Sequence, residues 1–551
     1  MNPIRNQLRF CAWDTVRLAA GVGLVWLGLA TSSPAQTNII TDCTETALRA
    51  ALAQGGAISF ACDGTITLTG TLSVVSNTIM DGGSHRVTIS GGDAVRVLRV
   101  SPNISFTAAN LTIASGRSDS GAGLYNDGGR LTLRYCIFTN NTCTSEAGAL
   151  GNYGGEVTLE DCTFGNNTAG GNGGAIANYG TLRARRCTFS GDNALGAGTG
   201  WPALGGAIYN AGILAVESSL FYGNGGTGGD GLYGASPPPV HDPVADNPGG
   251  AGGPGGPACG GIFNGGTASL VNCTFVGNHA RGGRGGNGGN GGIINEYVPI
   301  TDPPTPPRWR YGTGGAGGNG GDGTGALGDS TGACFLTNCT FALNWCDPEG
   351  GWGGPGGMSD MWRGPGPCGT NGSKVGAISG ACRLVNTLLA TNTPANGGGC
   401  DLGHNLSSDA SCGFTNPASL NNTDPRLGSL ADNGGPTLTL ALLPTSPAID
   451  AADPALSPLF DQRGFPRPVG PFPDIGAFEY GSPAFLQLSL ISGTDAVVRL
   501  FGIRGQSYSL LTSTNLTAWF LIATNQFRPD GAALFHDDRA APRRFFRLTL
   551  P

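Results

Sequence analysis

The sequence predicts an all-β chain wound as a solenoid, a parallel β-helix, and three observations carry that expectation. Glycine supplies 98 of 551 residues, more than twice the ~7 % of ordinary chains. Each interior glycine costs a helix roughly 1 kcal/mol, so a helical bundle is excluded. Charged residues are only 12 % and hydrophobic ones 39 %, which argues against a charge-rich disordered chain. Collagen would need glycine at every third position, and no such register is sustained. Third, a glycine-led unit recurs in tandem. It reads Gly173-Gly174-Ala175-Ile176-Ala177-Asn178, Gly180-Thr181-Leu182, Cys187-Thr188-Phe189, and returns as Gly205-Gly206-Ala207-Ile208-Tyr209-Asn210 with Ser219-Leu220-Phe221. Three short alternating runs in about 25 residues, repeated, predict one coil of stacked strands per unit.

Taken in order, residues 1–35 read as a secretory signal peptide. Arg5, Arg9 and Arg17 precede an apolar run from Leu18 to Ala30, and Ser33-Pro34-Ala35 offers small residues for cleavage. That run is short for a membrane span. Asp42 to Gln54 reads as a short helix with a capping-box start, Asp42-x-x-Glu45, covering the first coil near Gly55-Gly56-Ala57-Ile58. The solenoid with this cap is expected over 36–382.

Within it, Asn126, Asn152, Asn178, Asn210 and Asn264 recur at one position and predict a ladder of stacked amides. Cys136, Cys162, Cys187, Cys273 and Cys339 form a second file. Each lies two residues before an apolar core position, so these cysteines are read as buried thiols packing as small hydrophobes. Two glycine-rich inserts, 225–258 and 280–333, widen the spacing of that file and read as flexible excursions from one corner. Trp309, Tyr311, Trp352 and Trp362, in or beyond them, are candidates for stacking on sugars.

The repeats also carry a resemblance. Gly-Gly-Ala-Ile followed by Phe-x-x-Asn, as at Phe138/Asn141, Phe164/Asn167, Phe221/Asn224, Phe275/Asn278 and Phe341/Asn344, is similar to the repeat of bacterial polymorphic outer-membrane proteins. One copy departs, with Phe189 and Asn193 a residue further apart. The resemblance implies a right-handed β-helix displayed on a cell surface and linked to adhesion. Residues 383–480 resemble the choice-of-anchor Q domain, through Gly403-His404-Asn405-Leu406, Thr423-Asp424-Pro425-Arg426, Asp461-Gln462-Arg463-Gly464 and Asp474-Ile475-Gly476-Ala477-Phe478-Glu479. That resemblance implies display and assigns no chemistry. Residues 484–551 read as a separate small β module of sandwich type, open to sorting, anchoring or glycan binding.

Sixteen cysteines in an exported chain imply some disulfides. Cys43–Cys62 and Cys400–Cys412 are the expected pairs. Losing Cys11 with the signal leaves an odd number, hence at least one free thiol. The net charge of −7 and the lack of a basic patch exclude nucleic acid as a partner. His85, His241, His279, His404 and His536 are scattered, so no metal site and no cofactor are expected. The one weak exception is Asp230, in a run that fits a calcium nonapeptide, Gly225-Gly226-Thr227-Gly228-Gly229-Asp230-Gly231-Leu232-Tyr233.

No catalytic residue is assigned. The expected function is a secreted or cell-surface, monomeric, non-catalytic scaffold for adhesion or glycan contact, with a polysaccharide or protein as ligand and envelope association open. The alternative is a polysaccharide lyase or glycoside hydrolase of the pectate-lyase-like type. Its mark would be acidic and basic side chains aligned on one exposed sheet over adjacent coils.

Overall fold

The computed structural model describes residues 37–551 apart from short stretches at 241–245, 296–308, 348, 360–364, 482–484, 493–494, 502–506, 514–517, 527–531, 538–544 and 550–551. The expected signal segment and Trp362 lie outside the described residues.

Four parallel sheets wrap one core. Sheet I has twelve strands, from Thr37–Ile40 to Cys400–Asp401, and sheet II eleven, from Gly64–Thr67 to Leu406–Ser407. Sheet III has seven, from Arg117–Ser118 to Trp345–Cys346, and sheet IV nine, from Leu72–Val74 to Ile378–Ser379. One coil runs from Ile176–Asn178 in sheet IV through Thr181–Arg185 in I and Thr188–Ser190 in II to Asn193–Leu195 in III. The next coil starts at Ile208, directly over Ile176. The parallel β-helix is thus the fold of this chain.

Alternation decides what faces in. Phe138, Phe164, Phe189, Phe221, Phe275 and Phe341 pair in register along sheet II, all fully buried. Their rings stack at centroid distances of 4.5 to 5.0 Å. From Asn110 onward the chain turns between sheets I and II on a single left-handed residue in each coil, among them Tyr135, Asp161, Arg186, Ser218 and Asn272. These corners are therefore not a glycine position. The repeat glycines serve the corner before sheet IV, where Gly173 and Gly205 are left-handed and a Cβ on Gly174 or Gly206 would overlap the backbone of the next coil.

The cap helix spans Glu45–Gln54. Its start corrects the sequence reading: Thr44, not Asp42, is the N-cap, accepting from the Ala47 N–H at 3.3 Å. Glu45 turns instead to Arg49 and to the Thr69 N–H. Cys43 and Cys62 are joined as a disulfide at the foot of this helix. The expected Cys400–Cys412 bridge is not formed. Cys400 is exposed on the last strand of sheet I, beside Arg383, while Cys412 packs half-buried against the end of the core; both are free thiols.

The glycine-rich inserts depart most from expectation. Three arms leave the corner between sheets III and IV: 228–257, 282–322 and a third, unforeseen, at 347–373. Their legs are not flexible excursions. They pair through backbone hydrogen bonds that recur every third residue, the period of extended left-handed helices. The outgoing legs form one layer, with Gly231 donating to Arg284, Gly234 to Asn287, Gly285 to Trp352 and Gly288 to Pro355. The returning legs form a second layer, with Gly252 donating to Ala316, Gly255 to Asn319, Gly317 to Pro367 and Gly320 to Thr370. Between layers the bonds zigzag, from Gly369 to Gly354, Gly354 to Gly318, Gly318 to Gly286, Gly286 to Gly253 and Gly253 to Leu232. Where a leg has neighbours on both sides, two residues of each triplet face other legs, and a Cβ on Gly286 would overlap the Leu232 carbonyl oxygen; on the edge leg Leu232 and Ala235 are exposed. A collagen-like glycine register therefore does exist, confined to these arms.

The end of the solenoid also differs. After Leu406–Ser407 the chain folds back, and residues 425–480 lie as a strap along the outer face of sheet II. Asn272 donates to the Phe460 carbonyl, Thr274 to Gln462 and Asn338 to the Asp474 carbonyl. Val276, Ala342, Leu388 and Ala390 are buried beneath it. The last module, by itself, is two antiparallel three-stranded sheets: Phe485–Ser492, Asp495–Phe501 and Ala532–Asp537, and Phe520–Gln526, Ser507–Ser513 and Phe545–Thr549.

Candidate functional site

The two side-chain files foreseen in the repeats are interior features. Asn126, Asn152, Asn178, Asn210 and Asn264 are fully buried. Each donates its amide to the next at 2.7 to 2.8 Å, and Asn264 closes the series on Asp329. Cys136, Cys162, Cys187, Cys273 and Cys339 are buried and free, with Ser219 taking the place between Cys187 and Cys273. Burial pushes the Cys273 thiol well above its ordinary value, so it is not a ready nucleophile.

A second amide ladder was hidden in the Phe-x-x-Asn motif: Asn141, Asn167, Asp192, Asn224, Asn278, Asn344 and Asn392. The coil that seemed irregular is regular, because Asp192, not Asn193, takes the rung. Asn193 instead begins the sheet III strand Asn193–Leu195. Asp192 Oδ1 accepts from Asn167, while its Oδ2 is buried with no partner. Burial pushes this carboxyl up to about 7.

Three surfaces remain as candidate sites. The outer face of sheet I carries an alternating file across four coils: Arg134–Glu160 at 2.8 Å and Arg185–Glu217 at 3.5 Å, flanked by Arg186–Asp161 at 2.6 Å. This is the alignment that the enzyme reading asks for. Each carboxylate of the file is paired with an arginine. Burial raises Glu160, but the Arg134 hydrogen bond and the charges of Arg134, Arg186 and Arg185 outweigh it and hold the carboxyl below its usual range. A carboxylate held ionised by arginines is a poor general acid and a weak base.

On sheet IV, Tyr125, Tyr153, Tyr179, Tyr209 and Phe263 form an outer aromatic file with neighbouring centroids 4.6 to 6.0 Å apart. Tyr153 reaches the file by lying over Gly151, where a Cβ would strike its ring. Glu146 accepts from the hydroxyls of Tyr153 and Tyr179, and Arg96 covers the Tyr125 end at 4.9 Å. All neighbouring rings of the file stack except Tyr179 and Tyr209, which are tilted by 53°.

The arm sandwich is the third surface. The third residue of each triplet points out, and on the outgoing layer the hydrogen bonds align these residues in ranks. Asp230, Arg284 and Trp352 form the first, Tyr233, Asn287 and Pro355 the second, and Ser236, Asn290 and Met358 the third. All nine are exposed. The outward N–H groups are largely satisfied by neighbouring side chains: Arg284 donates to Asp230 Oδ1 at 2.7 Å, Asn290 to Ser236 Oγ at 3.0 Å and Met358 to Asn290 Oδ1 at 2.9 Å. Elsewhere proline removes the donor, as at Pro254, Pro257, Pro355 and Pro367. Asp230, the weak calcium candidate, is thereby a backbone cap; its triplet belongs to an arm and not to a calcium-roll turn. Among the described residues no group of three or more His, Cys, Asp or Glu is placed to hold a metal ion.

Compared with known proteins, the chain matches no family model and no curated protein sequence. Among the described residues no helix is long and apolar enough to cross a membrane.

Proposed function

We propose that this protein is a secreted, surface-displayed scaffold that makes non-catalytic contacts with extracellular glycans, holding its contact surface on arms raised from a β-helix. The observation that carries this reading is the sandwich. Three insertions from successive coils combine into one hydrogen-bonded platform with exposed outward residues. Ordering so many glycines is entropically costly, and the solenoid closes its own register without them, as Phe221 over Phe275 illustrates. The paired charges on sheet I support a non-catalytic surface, since their carboxylate is neutralised rather than poised.

The test is incubation of the purified protein with acidic and neutral polysaccharides, with and without calcium, following both retention and release of products. Retention without new reducing ends or unsaturated products is the expected result. Product release that disappears in an Arg134→Ala or Glu160→Gln variant would establish the lyase or hydrolase reading instead.

A further inference from the structure

Within the proposed function, on which this inference rests, we infer that the outgoing face of the sandwich is the contact site and that its ligand is a neutral polysaccharide lying across Tyr233, Asn287 and Trp352. The two faces of the sandwich provide an internal comparison. Both are built from the same triplet geometry, and on both the outward residue either caps a neighbouring N–H or simply faces solvent. The returning face holds small or polar residues, such as Ala251, Pro254, Thr313 and Ala316. The outgoing face carries Tyr233 at 77 % exposure, Met358 at 74 % and Trp352 at 49 %, with Arg284 and Asn287 between them. Nothing in the triplet geometry requires large apolar side chains there. Tyrosine, tryptophan, methionine and arginine are the types enriched where proteins meet partners.

Size and charge choose the partner. Ranks one turn apart along such legs are separated by about 9 Å, and hydrogen-bonded backbones lie about 5 Å apart. Three ranks and three legs therefore span a patch on the order of 200 Å², against about 800 Å² per partner in a standard protein interface. A patch that small suits a narrow chain. Among its nine positions are one acid, Asp230, and one base, Arg284, so there is no net charge to attract an acidic polymer. Aromatic rings with a polar edge, set around an amide, match the mixed apolar and hydroxyl surface of a neutral sugar chain.

The experiment uses the full chain and the double variant Tyr233→Ala/Trp352→Ala, with Ala251→Ser/Pro254→Ala on the opposite face as control. The probes are hydroxyethylcellulose, arabinoxylan, galactomannan and polygalacturonate in affinity electrophoresis. All four positions are exposed, and circular dichroism checks that each variant is folded. The expected result is retardation by at least one neutral polymer, weakened tenfold or more in the outgoing-face variant and unchanged in the control. Equal retardation of wild type and double variant would overturn this face as the site while leaving glycan contact standing. Retardation by polygalacturonate alone would overturn the neutral ligand. No retardation by any polymer, including the case in which only a protein is bound, would overturn both this inference and the function it rests on.

Discussion

Asp192 stands in a ladder where every neighbouring rung is asparagine. In the other rungs the amide donates twice, to the next side chain and to a carbonyl one coil back, as Asn224 does to Asn278 and Phe189. A carboxylate in that place sets an acceptor against acceptors. Only the protonated acid supplies a donor, consistent with burial pushing its titration up to about 7. The folded-state value lies above the ordinary ~3.9 of an unfolded chain, so folding takes up a proton between the two. The contribution of this rung is fully present below about pH 4 and is lost as pH rises through about 7. Asp192→Asn is expected to raise the melting temperature at pH 8 by several degrees and to change it little at pH 4. A difference between variant and wild type that does not grow with pH would show that the rung is not protonated.

The legs of the arms depend on glycine for close approach rather than for unusual dihedrals. Gly318 faces the Gly253 carbonyl, and a Cβ there would overlap it. Gly318→Ala is therefore expected to open the sandwich and leave the solenoid intact: limited proteolysis should cut within 228–373 while far-ultraviolet dichroism is retained. The strap is held differently, by buried ion pairs, Arg463–Asp461 at 2.7 Å and Arg467–Glu479 at 2.9 Å. Removing one member leaves the other charged and buried, at a cost of about 3–5 kcal/mol. Glu479→Ala should thus lower the unfolding midpoint in urea and expose 425–480 to protease first. The motif residues of this segment are in part these charges, which is why they could be picked out in the sequence before their role was visible.

What was legible follows from the range of each signal. Strand alternation and the recurrence of Phe138, Phe164 and Phe189 are local, so the coils and both interior files could be read directly. The arms could not. Their triplet register lasts only a few turns per leg, and its meaning lies in partners such as Gly253 and Gly318, far apart in the chain. The Asp192 rung was missed because Asn193, with the same side-chain size and the expected amide, stands beside it. The outward ranks were partly visible as exposed aromatics near glycine runs, but nothing local aligns Tyr233 with Asn287 and Pro355.

At the scale of the molecule, one continuous core runs from the cap helix to Phe414 at the far end, and its two ends are closed by different means. At the first coil the Cys43–Cys62 disulfide ties the helix to the solenoid. Cys43→Ser/Cys62→Ser is expected to destabilise this end by on the order of 3 kcal/mol, seen as a lower thermal midpoint that reductant does not lower further. The other end is closed by the chain between Cys400 and Thr423 before the strap turns back. Between them the arms pair into one hydrogen-bonded sandwich, and the proposed function rests on its rigidity. Hydrogen exchange of the full chain, read by mass spectrometry over peptides from 228 to 373, tests it most directly. The glycine amides of the legs, Gly231, Gly286 and Gly318 among them, are expected to exchange orders of magnitude more slowly than an open chain and alongside the strands of sheet II. Complete exchange of these peptides at the earliest time point would contradict it.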